Sequence, residues 1–290
     1  MKSIMRSIVV YLSVIVIASV LGACREVIDF ELPVDQPQLV IEGSMTYWAD
    51  DAQRNEVRVI VSTSGNYYNE DGFNPVTEAS LQVDDLTNGN TYDIPQIEDE
   101  PGLYRNTSVP MELGNSYRLR VMYEGNEYES TSAILPVAEL DSFSYRYREE
   151  TAFLDEGYYF FFSGRTPKER GTNYYRFKIY EDDSLYDDRG DYLIQSDEFL
   201  RAKIDTLQLA NYAFEVGDSV RIEMYSLDKD MFRYYNELVE LLFNDGGLFS
   251  SPPRNPTTNI INTTNPDNPS LGFFQVSSAL GGGATIEERE

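Results

Sequence analysis

Apolar residues recur at every second position along much of this chain, and that period commits it to strands rather than helices. In Glu56–Ser62, Val57, Val59 and Val61 fall on one face. In Tyr117–Tyr123, Tyr117, Leu119, Val121 and Tyr123 share a face, with Arg118 and Arg120 on the other. Further short runs at 38–43, 80–84, 90–94 and 127–135 are separated by turn residues. Asn88-Gly89 predicts a type I′ hairpin, whose central positions both need positive φ, and Gly125-Asn126 predicts the next reversal. About seven short strands over about a hundred residues describe an immunoglobulin-like sandwich.

Leu135-Pro136 closes that unit, and a second set of strand candidates follows at 142–147, 158–162, 173–180 and 219–225. One helix is expected at about 229–244. Met231, Tyr235, Leu238 and Leu242 recur at helical spacing, Asp228 is a suitable N-cap, and Gly246-Gly247 stop it. A lone helix in a β domain is expected to cover an open end or an edge of the sandwich. The stretch 250–270 is rich in Pro, Asn, Thr and Ser and reads as loop, Leu271–Ser277 as a last strand, and 281–290 as a flexible tail. The expected fold is mainly β: two tandem immunoglobulin-like β-sandwich domains, 38–137 and 138–280, with one α-helix in the C-terminal half.

The first 37 residues follow a different logic. Lys2 and Arg6 precede the apolar run 8–21, which is too short for a membrane span of about 20 residues. A basic start, an apolar middle and small residues at the end describe a secretory leader, 1–23. Leu21-Gly22-Ala23-Cys24 is a lipobox, so Cys24 is expected to carry lipid and 24–37 to form a tether. More than one acyl chain gives stable anchoring, because each buried methylene contributes about 0.8 kcal/mol. Cys24 is also the only cysteine, so no internal disulfide exists to claim it.

Composition excludes several functions. The chain has 23 basic and 49 acidic residues, a net charge of −26, and loss of the leader removes two cations and no acid. Nucleic-acid binding and attraction to anionic headgroups both need a basic surface. Histidine is absent, which removes Ser-His-Asp and Cys-His catalysis and His-ligated metals. Carboxylate chemistry of the glycosidase kind remains open, but no pair is singled out by spacing. No catalytic residue and no cofactor is assigned.

Several segments, in order, resemble a family. They are the lipobox cysteine with Ile28-Asp29-Phe30, Leu39–Gly43, Pro101–Arg105, Gly114–Val121, Tyr128–Thr131, the stretch 225–242, Asn259-Ile260 and Leu271–Phe274. Together they resemble the Bacteroidota outer-membrane lipoproteins grouped as the domain-of-unknown-function family 4249. Members are typically encoded beside TonB-dependent outer-membrane transporters, so the resemblance implies an accessory role in uptake with such a transporter as partner. It brings no established catalytic residues. Surface-directed lipoproteins of this group often carry acids directly after the cysteine, whereas here Arg25 precedes Glu26.

Three aromatic residues in expected loops, Trp48, Tyr67 and Tyr68, are candidate ligand contacts. Asp182, Asp183, Asp187, Asp188 and Asp191 cluster in an acidic loop and are candidate ligands for a structural calcium ion, although the spacing is not that of an EF-hand. The expectation is a non-enzymatic outer-membrane lipoprotein, held by lipid on Cys24, with the cell surface favoured over the periplasmic face. It captures an unidentified small ligand (peptide, glycan or metal chelate) for a transporter. A structural or adhesive surface protein and a carboxylate-dependent glycan hydrolase are the alternatives.

Overall fold

A computed structural model describes residues 37–65, 74–167, 171–200, 202–244 and 252–288. The leader, Cys24 and most of the tether therefore lie outside the described residues, as do Tyr67 and Tyr68. Residues from Pro37 onward form one compact unit.

Three sheets build it. The largest has nine strands. Its order is β12 (Ser184–Leu185), β11 (Tyr174–Glu181), β15 (Ser219–Leu227), β17 (Leu271–Thr285), β1 (Leu39–Trp48), β2 (Glu56–Thr63) and β3 (Asn74–Pro75). Strand β13 (Leu193–Ser196) pairs with β11, and β6 (Leu103–Asn106) pairs with β2. A five-stranded sheet runs β16 (Ile261–Asn262), β8 (Asn126–Ala133), β7 (Ser116–Tyr123), β4 (Ser80–Asp85) and β5 (Asn90–Ile94). A three-stranded sheet runs β14 (Lys203–Gln208), β10 (Gly157–Arg165) and β9 (Glu139–Arg148).

Both smaller sheets pack on the same face of the large one. Strand β17 shows why. Side chains of like parity on a strand share a face, and Phe274 and Val276 enter the first core while Leu280 packs against the second. The first half of β17 pairs in parallel with β1, from Val40↔Leu271 to Trp48↔Ala279. The second half pairs antiparallel with β15, from Tyr225↔Ala279 to Ser219↔Thr285. The expected β-sandwiches are present, but they share one sheet and are joined through this strand. Residues from beyond 138 enter the N-terminal sandwich: β16 pairs with β8 in the five-stranded sheet, and Ile260, Phe274 and Val276 lie in its core. Between the two cores the chain crosses at Leu135, whose carbonyl accepts hydrogen bonds from Ser226 Oγ (2.8 Å) and Ser278 Oγ (2.6 Å). The large sheet thus carries a polar seam where neither small sheet covers it.

The tail expected at 281–290 is instead strand and core through Ile286, which is 1% exposed. Its glycines are sites of close approach. A Cβ on Gly282 would sit 2.7 Å from the Phe143 ring, and one on Gly283 would sit 2.3 Å from the Val220 carbonyl oxygen. Two turns also differ from expectation. The β4–β5 loop spans 86–89 with positive φ at Gly89 alone, and Asp85 Oδ1 accepts from Thr87 N and Asn88 N, so a carboxylate cap replaces the type I′ geometry. The β7–β8 reversal lies one residue earlier, at Glu124-Gly125, where both φ angles are positive.

Several family-like segments find physical reasons here. Tyr104 is buried, donates to the Val76 carbonyl (3.1 Å) and accepts from Ala79 N (3.0 Å). Its neighbour Gly102 has φ +81 and would drive a Cβ to 2.8 Å from the Val61 carbonyl oxygen. Tyr117, at the start of β7, reaches back to the Pro110 carbonyl (3.3 Å), the arrangement of a sandwich tyrosine corner. Asn259 pairs with Phe274 through both its amide groups, covering the edge of β17 opposite β1.

The helix, α1 (Lys229–Leu242), starts as expected, with the Asp228 carboxylate accepting from Met231 N at 2.7 Å. It does not cover an end or an edge. Met231 and Tyr235 pack with Leu227 and Phe273 on the opposite face of the large sheet, away from both small sheets. Among the described residues no helix is long and apolar enough to cross a membrane.

Candidate functional site

Alternation places one set of side chains in the two cores and the other set on the free face of the nine-stranded sheet. On β1 the free-face set is Glu42, Ser44, Thr46 and Trp48; on β2 it includes Arg58; on β11 it is Arg176, Lys178 and Tyr180; on β15 it is Arg221, Glu223 and Tyr225. With α1 as one wall, this face forms a cleft of about 1060 Å³. That is at the upper end of small-ligand pockets, which run about 300–1,000 Å³.

Glu223 organises the cleft floor. It is 2% exposed. Its Oε1 accepts from Arg54 Nη2 at 2.5 Å and from Arg221, and its Oε2 accepts from Tyr225 OH (2.6 Å) and Tyr180 OH (3.0 Å). Two guanidinium groups and two phenols thereby satisfy a carboxylate that burial would otherwise make costly. Burial and then the Glu223 charge push Tyr180 up to about 12 and raise Tyr225 further, so both stay protonated donors. Arg54 arrives on a short 3-10 turn, Ala52–Arg54, capped by Asp51 and tied to the sheet by Trp48 N donating to Asn55 Oδ1 at 2.7 Å. Its guanidinium lies 3.3 Å from the Trp48 ring centroid, and that of Arg221 lies 3.7 Å from the Tyr180 centroid. Such cation–π contacts orient guanidinium planes as well as stabilising them.

Beneath the helix, Arg176 Nη1 donates to Tyr235 OH (2.5 Å), which in turn donates to Gln275 Oε1 (2.9 Å). The Arg176 Nε is buried and has no hydrogen-bond partner among the described residues. Lys178 Nζ lies 5.0 Å from the Tyr225 ring centroid. Burial, then the Arg176 charge and more weakly Arg58, bring Lys178 down to about 8, while Glu223 opposes them. At the other margin, Arg105 Nε pairs with Glu56 at 2.7 Å.

The residues singled out in the sequence fare unequally. Trp48 belongs to the site, but as the last residue of β1 and 5% exposed beneath Arg54, not as a loop contact. The acidic stretch turns at Asp182-Asp183, both with positive φ, into the edge strand β12. Asp182 caps Ser219 N, Asp183 faces Arg221 at 3.9 Å, and Asp191 Oδ2 accepts from Asp188 N. These carboxylates serve turns and an ion pair. Among the described residues no group of three or more Cys, Asp or Glu is placed to hold a metal ion. The cleft cations were not singled out from the sequence, yet their signal is present: Arg176 and Lys178, two apart between Tyr174 and Tyr180, lie opposite the apolar set Tyr175, Phe177 and Ile179.

Comparison with known proteins adds a family and little else. No curated protein matches the chain. Among solved structures, the chain is similar to the chicken CNTN1 FN1–FN3 domains at 9% identity and a TM-score of 0.26, over 66% of this chain and 60% of that one. The chain thus spans about 60% of that structure's length. The model described as "Domain of unknown function (DUF4249)" matches residues 25–280, nearly everything after Cys24, and the chain belongs to that family.

Proposed function

We propose that this protein is a lipid-anchored outer-membrane protein, facing the cell surface, that captures a solute in the cleft for a TonB-dependent transporter and performs no chemistry on it. The cleft carries the proposal. It is large, walled by a helix, and lined by convergent polar and aromatic side chains on a rigid sheet, the usual character of a binding site. The acids available argue for binding rather than hydrolysis. Of the three lining acids, Glu223 and Glu56 are committed to arginine, which leaves Glu42 alone, whereas a glycosidase needs a free carboxylic acid and a second free carboxylate. The lipobox at Cys24 supports the anchor, and the family context supports the transporter. Affinity purification of the native lipoprotein from membranes in mild detergent tests this. A single outer-membrane transporter should co-purify in near-stoichiometric amount, and recovery of the lipoprotein alone would contradict the transport role.

A further inference from the structure

The cleft is cationic on a strongly anionic chain. Arg54, Arg58, Arg105, Arg176, Lys178 and Arg221 line it against Glu42, Glu56 and Glu223, while the whole sequence has more than two acids for each base. Half of these cations are already matched: Arg54 and Arg221 hold Glu223, and Arg105 holds Glu56. Arg58, Arg176 and Lys178 have no carboxylate within 4.0 Å among the described residues. They converge on the free face from opposite margins, Arg58 from β2 and the other two from β11, and Lys178 feels the charge of both arginines. Crowding three like charges is unfavourable, and a bound anion would relieve it. The buried Arg176 Nε is a further donor, without an acceptor among the described residues. Beside these groups stand the half-buried rings of Tyr180, Tyr192 and Tyr234, with hydroxyl and amide groups from Ser44, Asn55 and Gln275. Tyrosine rings offer apolar faces with a polar edge, suited to the faces of sugar rings.

We propose that the cleft binds an acidic oligosaccharide, with its carboxylates on Arg58, Arg176 and Lys178 and its ring faces against Tyr192 and Tyr234. This rests on the capture reading above and names the class of solute. Guanidinium groups favour carboxylates through paired N–H donors, and a cleft of about 1060 Å³ has room for several sugar units. Calorimetric titration of the full lipidated chain in detergent tests the assignment, with tetragalacturonate, neutral maltotetraose and a tetraglutamate peptide as probes. Tetragalacturonate should bind at least tenfold more tightly than either of the others, with an affinity that falls as salt rises. Arg58→Glu should weaken it at least tenfold while leaving the melting temperature unchanged, because Arg58 makes no ion pair among the described residues. Equal affinity for maltotetraose, equal affinity for tetraglutamate, no binding of tetragalacturonate, or an unaltered Arg58→Glu variant would each overturn the assignment. Binding of tetragalacturonate without a co-purifying transporter would leave the ligand class standing and remove the transport role. A co-purifying transporter without binding would do the reverse.

Discussion

At the scale of single residues, two buried carboxylates show how this acidic chain holds its charges. Asp84 lies between Arg118 and Arg120 on the outer face of the five-stranded sheet, at 2.9 and 2.8 Å, and also accepts from Thr91. Burial alone would raise it, but the hydrogen bonds from Arg120, Thr91 and Arg118 outweigh burial and hold it at about 2. A depressed carboxylate contributes stability that is complete above its unfolded value, near 3.9, and is lost as pH falls toward about 2. Asp84→Asn should therefore cost about 2 kcal/mol in urea unfolding at pH 7, with the gap to wild type closing by pH 2. Glu223 has two arginines and two tyrosines around it. Glu223→Gln leaves both guanidinium groups without their counter-charge in a nearly closed site, and should cost about 3 kcal/mol. A loss below about 1 kcal/mol in the same assay would mean that the cluster is solvated rather than sealed.

At the scale of elements, what the sequence showed and what it hid have separate causes. The strands at 56–62 and 117–123 and the helix from Asp228 were legible because each signal is local: a period of two, a period of 3.6, a capping carboxylate. The end of the chain was not. Gly281-Gly282-Gly283 reads as a loose tail by composition, yet these glycines form strand, and at Gly282 and Gly283 the Phe143 ring and the Val220 backbone occupy the space that a Cβ would fill. Only tertiary contact reveals that. The β4–β5 turn was hidden for a related reason, since Asp85 rather than the Asn-Gly pair supplies its geometry. The cleft was half legible: Arg176 and Lys178 stand out as polar positions on an otherwise apolar strand, but nothing local reveals that β2 and β11 flank one free face. Gly282→Val tests the packing reading. It should force Phe143 aside and destabilise by about 1–3 kcal/mol, the usual cost of overpacking. In a frayed tail the same change would be silent in thermal unfolding.

At the scale of the whole molecule, β17 makes two sandwiches into one cooperative body. It contributes Phe274 and Val276 to one core and stands beside β15 in the other. Two tandem domains joined by a linker would unfold independently. The shared sheet predicts a single calorimetric transition, with the van't Hoff enthalpy equal to the calorimetric one. It also predicts that residues 38–137 alone do not fold, because they lack β16 and β17, the parallel partner of β1. Two resolved transitions would refute the shared-sheet account of stability. The same architecture explains the free face: both cores use one side of the sheet, so the other is left for α1 and the cleft, which rests on the nine-stranded sheet.

The chain has a single tryptophan, and Trp48 lies in the cleft floor beneath Arg54. Its fluorescence is a built-in report on whether the cleft is the binding site. Titrating the full chain with tetragalacturonate should change Trp48 emission saturably, with the midpoint found by calorimetry, and Arg58→Glu should shift that midpoint at least tenfold. Calorimetric binding with unchanged Trp48 emission, in wild type and variant alike, would place the ligand elsewhere and contradict the account.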